Sequence, residues 1–173
     1  RVATTSSDRD DSEANTDHKA TGYERVGSTK FSTPAGAFFQ NNRSIIPPLM
    51  EYVRSQLPAS DKPQYLVDTY CGSGLFALSL APLFDKVAGV EISASSIECA
   101  KENARQNHIL NADFLAGEAE NIFSKISFPR AQTTVVIDPP RRGCDQAVFD
   151  QLVALRRRTI SYVSCNVHVR RLF

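Results

Sequence analysis

YLVDTYCGSGLFAL, residues 65–78, reads as an apolar strand, a glycine loop and the opening of a helix. Tyr65, Leu66 and Val67 favour a strand. Gly72 and Gly74 permit a tight turn and let a ligand lie against bare backbone. Leu75 to Leu80 then open a helix whose first N–H groups face the loop. Such a loop at the carboxyl end of a strand is a cofactor cradle, or a plain strand-to-helix turn with no ligand.

Gly72-x-Gly74-x-x-Ala77 fits the dinucleotide fingerprint in its G-x-G-x-x-A form. It also fits the looser glycine loop that holds S-adenosylmethionine. The chain downstream bears on the choice. Strand two is expected at Lys86 to Glu91, with a helix from Ser93 to His108 capped by Ser93. Strand three lies near Asp113 to Ala116, followed by a short helix from Glu118 to Ser124. Strand four is Thr133 to Asp138, with a helix from Asp145 to Arg156, and strand five is Thr159 to Ser164. The helix of the first unit runs from about Gly74 to Leu83. Strands alternating with helices imply right-handed crossovers and an α/β fold with a parallel sheet covered on both faces. The expected strand order is 3-2-1-4-5, with the ligand crevice between strands one and four, where the winding reverses.

Upstream, Arg1 to Lys30 is rich in Ser, Thr, Asp and Glu and poor in large apolar residues. It is expected to be a disordered linker or insertion, leaving residues 31–173 as the folded domain. FSTPAGAFFQNN, residues 31–42, resembles a packed loop with polar contacts. Arg43 to Leu57 is a helix candidate capped by Asn41 or Asn42, which either starts near Pro47 or is kinked there.

The chain has 173 residues, enough for one domain with a real core. Its hydrophobic fraction of 42% and charged fraction of 23% are those of an ordinary soluble protein. No apolar run spans a membrane and no signal peptide is visible. The start at Arg1 suggests a fragment or a processed chain. Residues 1–140 carry 13 basic and 17 acidic groups, net −4, whereas residues 141–173 carry seven arginines against Asp145 and Asp150, net +5. A basic final third suits a phosphate-bearing partner, although a solvated arginine face gives the same count. Cys71, Cys99, Cys144 and Cys165 form no C-x-x-C pair, so no metal site is expected. Scattered cysteines without a secretory signal suit an intracellular setting, with the compartment left open.

Three strand ends carry candidate chemistry. Glu91 ends strand two, where a carboxylate can accept both ribose hydroxyls of an adenosine, in either cofactor class. Asp138 ends strand four in VVIDPPRRG, at the switch point. Pro139 and Pro140 make the following loop rigid; a methyltransferase needs such a loop to hold a planar base edge, and a dehydrogenase does not. Cys165 follows strand five in YVSCN, on the same crevice edge, where a basic setting can lower a thiol pKa and make a nucleophile. The alternative for any lone cysteine is a small buried apolar residue.

FFQNN, DTYCGSG, Glu91, DPPRRG and YVSCN occur in the order and approximate spacing of the RNA uracil-C5 methyltransferases. The chain most resembles the tRNA (uracil-5-)-methyltransferase family of eukaryotic type, over Phe31 to about Asn166. The glycine loop is unspecific; the joint occurrence of FFQ, DPPR-x-G and SCN is highly specific. RNA cytosine-C5 methyltransferases carry a cysteine where this chain has Pro140, and amino-group methyltransferases usually an aromatic residue where it has Arg141.

The resemblance implies a Rossmann-like class I methyltransferase fold that uses S-adenosylmethionine. Gln40, Tyr70, Gly72, Gly74, Glu91 and Asp138 would contact that cofactor, with Gly72 to Leu75 lining its methionine end and Glu118 loosely placed near the adenine. Cys165 matches the catalytic nucleophile, which adds to C6 of the uridine. The implied partner is tRNA, or alternatively ribosomal RNA, met by a monomeric chain without metal or membrane. Arg141, Arg142, Arg156, Arg157 and Arg158 are candidates for RNA phosphates. Val167 stands where the family has proline after SCN. The family's glutamate base, its last strands and its RNA-binding parts are expected outside this sequence. A catalytically incomplete RNA-binding fragment and a nucleotide-dependent oxidoreductase are the remaining alternatives.

Overall fold

A computed structural model of the chain describes residues 21–34, 39–40, 43–57, 62–118, 125–141, 143–144, 146–155 and 159–164. Its centre is a five-stranded sheet of β3 (Tyr65–Thr69), β4 (Lys86–Glu91), β5 (Ala112–Ala116), β6 (Thr133–Ile137) and β7 (Thr159–Tyr162). All neighbours pair in parallel, in the order β5-β4-β3-β6-β7. This is the expected 3-2-1-4-5 arrangement, with the winding reversed between β3 and β6.

Register divides the sheet into two faces. Leu66, Val87, Phe114 and Val136 join one core cluster with α1 (Ile46–Ser55), α2 (Leu75–Leu80) and α3 (Ala94–Gln106). Val67, Ala88, Val90, Val135 and Ile137 join the other, which packs on Val148 and Leu152 of α4 (Gln146–Leu155). The sheet is therefore apolar on both sides, as parallel crossovers require.

Helix ends follow local chemistry. Pro47 and Pro48 sit in the first turn of α1, where no backbone N–H is needed, after a 3-10 turn at Arg43–Ile45. The helix thus starts at the prolines. The expected caps Asn41 and Asn42 lie outside the described residues. The first crossover helix stops at Leu80 and tightens into a 3-10 turn, Ala81–Leu83, at Pro82. Ser93 caps α3 as expected, its Oγ accepting from Ser96 N at 3.3 Å. The helix expected over Glu118 to Ser124 lies largely outside the described residues.

One expectation fails. Residues 21–30 are no linker: β1 (Thr21–Val26) and β2 (Thr29–Pro34) form an antiparallel hairpin. Among its described residues Val26 and Phe31 join the buried apolar core, and polar side chains also hold the hairpin in place. Asn107 Oδ1 accepts from Lys30 N at 2.8 Å, and its Nδ2 donates to Lys30 O. Asn103 does the same for Ser32. Four helical residues rise about 6 Å and two strand residues about 6.6 Å, so the two amides meet alternate residues of β2 in step. Residues 1–20 lie outside the described chain.

Candidate functional site

The carboxyl ends of β3, β4 and β6 converge on the glycine loop. Tyr70 opens it in the left-handed region, at φ +61°, a conformation that costs a non-glycine residue free energy and gathers at functional sites. Gly72 follows at φ +53° and Gly74 at φ +92°. A Cβ built on Gly72 would meet nothing within 4 Å, so this backbone faces open space where a ligand can lie.

Glu91 is locked to the loop. Its Oε2 accepts from Gly72 N at 3.3 Å and its Oε1 from Ser93 N at 3.0 Å. Each carboxylate oxygen thus accepts one backbone N–H and keeps lone-pair capacity for a hydroxyl donor. Gly117 N donates to Glu91 O at 3.0 Å, which brings the exit of β5 to the same edge, with Glu118 exposed beside it.

Two further acids surround the loop. Asp138 follows β6, half-buried, and burial raises its pKa to about 6. Asp68, in β3, is fully buried, and its pKa lies well above the usual carboxylate range. Burial is the main cause, opposed by the Ala77 N–H and reinforced by the fields of Asp138 and Glu91. Sequence reasoning passed over Asp68, although an acid inside an apolar strand is the kind of signal that finds such a group. Burial, then Asp68 and Glu91, also push the Cys71 thiol well up, so Cys71 stays protonated and is no nucleophile.

This arrangement distinguishes the two cofactor classes. A pyrophosphate cradle needs free N–H groups and low negative charge. Here Gly72 N is taken by Glu91, Gly74 N by Cys71 O at 2.8 Å and Ala77 N by Asp68. The helix behind the loop is only six residues long. Open space flanked by the carboxyl groups of Glu91 and Asp138 fits a ligand with positive charge and ribose hydroxyls, and the residues present fit S-adenosylmethionine.

The structure brings Tyr70, Gly72, Gly74, Glu91 and Asp138 to one end of the sheet. Gln40 is half-buried on a separate segment, whose Phe39 ring packs on Phe31 at 5.6 Å. Val163 N donates to Ile137 O at 2.8 Å, so the exit of β7 runs beside Asp138. Cys165 comes two residues later and lies outside the described residues, as do Arg142 and Arg156, Arg157 and Arg158; Arg141 is exposed. Among the described residues no group of His, Cys, Asp and Glu could hold a metal, and no helix is long and apolar enough to cross a membrane.

The chain is 49% identical over 161 residues to the tRNA (uracil(54)-C(5))-methyltransferase of Schizosaccharomyces pombe, covering 90% of this chain and 31% of that protein. It is 47% identical over 150 residues to the enzyme of that name from Saccharomyces cerevisiae, covering 84% and 24%. Among solved structures, the Pyrococcus abyssi tRNA (uracil-54, C5)-methyltransferase in complex with S-adenosyl-L-homocysteine superposes with a TM-score of 0.71 at 26% identity, covering 84% of this chain and 35% of that one. The chain therefore spans less than a third of the length of either fungal relative, 31% and 24%. A family model described as tRNA (Uracil-5-)-methyltransferase matches residues 24–171, and the chain belongs to that family.

Proposed function

We propose that this chain is the cofactor-binding core of an S-adenosylmethionine-dependent methyltransferase acting on C5 of a tRNA uridine. The observation that carries the reading is the acid-flanked glycine loop, with Glu91 fixed on Gly72 N–H and Asp138 across the switch point. The family match and the names of the fungal relatives support tRNA, and uracil 54, as the target.

Glu91 takes the ribose hydroxyls, and Gly72 and Gly74 let the ligand lie on the loop. Gln40, Tyr70 and Asp138 complete the contacts. When bound, S-adenosylmethionine supplies an electrophilic methyl group. Cys165 activates the uridine: its thiolate adds to C6, and C5 becomes an enolate-like nucleophile that takes the methyl. A base removes the C5 proton, the C6–S bond breaks, and the thiolate is restored. The uridine must leave its stack to reach the site.

Calorimetric titration tests the cofactor assignment. S-adenosylhomocysteine binds and NAD does not; the reverse preference sinks the reading. For the nucleophile, the full-length protein forms a denaturant-stable adduct with 5-fluorouridine-containing tRNA, and Cys165→Ala forms none. An adduct that survives the substitution refutes the role given to Cys165.

A further inference from the structure

The glycine loop and the N-terminal hairpin share one side chain. Asn103 points inward from α3 and is fully buried. Its Oδ1 accepts from Ser32 N and from Ser32 Oγ, both at 2.8 Å. Its Nδ2 donates to Ser32 O and to Ser73 O, both at 3.0 Å. Both N–H donors and both oxygen lone pairs of the amide are thus in use.

Ser73 lies between Gly72 and Gly74, so the loop has little conformational restraint of its own. External contacts must fix it. The peptide joining Ser73 to Gly74 is held at both ends, its carbonyl by Asn103 and its N–H by Cys71 O at 2.8 Å. The peptide joining Cys71 to Gly72 is held in the same way, its carbonyl by Gly74 N and its N–H by Glu91. Glu91 and Asn103 therefore clamp the loop from two sides.

We propose that Asn103 is a positioning residue for the cofactor loop: its amide orients the Ser73 carbonyl and ties that loop to β2 of the hairpin. The inference rests on the cofactor reading above. Asn107 is the internal control, because it docks the same hairpin through Lys30 without touching the loop. Losing Asn103 removes a hairpin contact and the Ser73 loop contact together, whereas losing Asn107 removes a hairpin contact alone.

The test is titration of S-adenosylhomocysteine into the unaltered chain, Asn103→Ala and Asn107→Ala. Asn103→Ala weakens binding by about tenfold, the scale of one buried hydrogen bond, and Asn107→Ala by less than about twofold. No binding by the unaltered chain sinks the cofactor reading and this inference with it. Binding by the unaltered chain and equal binding by Asn103→Ala sinks this inference alone. A measurement on the unaltered chain covers the case in which Asn103→Ala does not fold. The side-chain amide proton resonances of Asn103 shift when S-adenosylhomocysteine is added and those of Asn107 do not; an unmoved Asn103 pair overturns the proposal.

Discussion

Asp68 Oδ2 accepts the backbone N–H of Ala77 at 2.8 Å, joining β3 to the first turn of α2 across the whole glycine loop. Its other oxygen, Oδ1, is buried without a hydrogen-bond partner among the described residues. Burial, reinforced by the nearby acids, pushes the pKa of this carboxyl well above the usual carboxylate range. An amide of the same shape can accept from Ala77 equally well. Asp68→Asn removes a carboxyl whose charge burial disfavours while keeping the Ala77 contact, and so holds stability better than a truncation does. Asp68→Ala leaves the Ala77 N–H buried and unpaired, and loses about 1–3 kcal/mol. Urea denaturation measures both; an Asp68→Asn protein as weak as Asp68→Ala refutes the account.

Asp138 gives a pH dependence with a defined sign. Its folded pKa of about 6 lies above the 3.8 of a free aspartate, so between the two the folded chain holds a proton that the unfolded chain has lost. The stability it contributes is complete below the unfolded value and disappears as pH rises through about 6. Affinity for a cationic ligand moves the other way, because ionised Asp138 attracts it. Between pH 4.5 and 7.5, roughly the span of that titration, melting temperature falls through this group while affinity for the sulfonium cofactor S-adenosylmethionine rises. Asp138→Asn flattens both trends. Parallel melting and binding curves at several pH values check this, and an unchanged slope in the variant rules Asp138 out as their source.

Space beneath the loop is set by Gly89. It pairs in register with Asp68 on one side and Phe114 on the other. A Cβ there would lie 2.5 Å from the Phe114 ring and 3.0 Å from Cys71 Sγ. The ring fills the place where a side chain would stand and closes the floor under Cys71. Gly89→Ala overpacks this site and lowers stability by about 1–3 kcal/mol. Phe114→Leu, added to it, recovers part of the loss. A double variant less stable than the sum of the two single losses argues against the clash.

The sheet was legible from residue 65 onward because each crossover repeats one pattern: an apolar strand, a turn residue, an amphipathic helix. Tyr65 to Thr69, Lys86 to Glu91 and Ser93 carried that signal locally, and Glu91 and Asp138 followed from their places at strand ends. The hairpin carried no such signal. Its two core residues, Val26 and Phe31, fall among Ser, Thr, Glu and Lys, and its docking depends on amides more than 70 positions away. Composition therefore reads it as unfolded. Asn103 left a faint trace, since it continues the apolar stripe Ile97, Ala100 and Ala104 of α3. A polar residue on such a stripe is buried and must find partners.

His108 closes α3 at a conformational cost that glycine would avoid. It sits at φ +56°, and its N–H donates to Arg105 O at 3.2 Å. Ile109 N donates to Ala104 O at 2.9 Å. The pair forms a Schellman turn, whose left-handed position is most often glycine. His108 is exposed, so removing its side chain sacrifices little packing. His108→Gly relieves the Cβ crowding, partly offset by the greater freedom of the unfolded chain. The net is a gain of about 0.5–1 kcal/mol. Thermal melts of the two proteins at one pH check it. A loss of stability would mean that the imidazole makes a contact worth more than the strain it imposes.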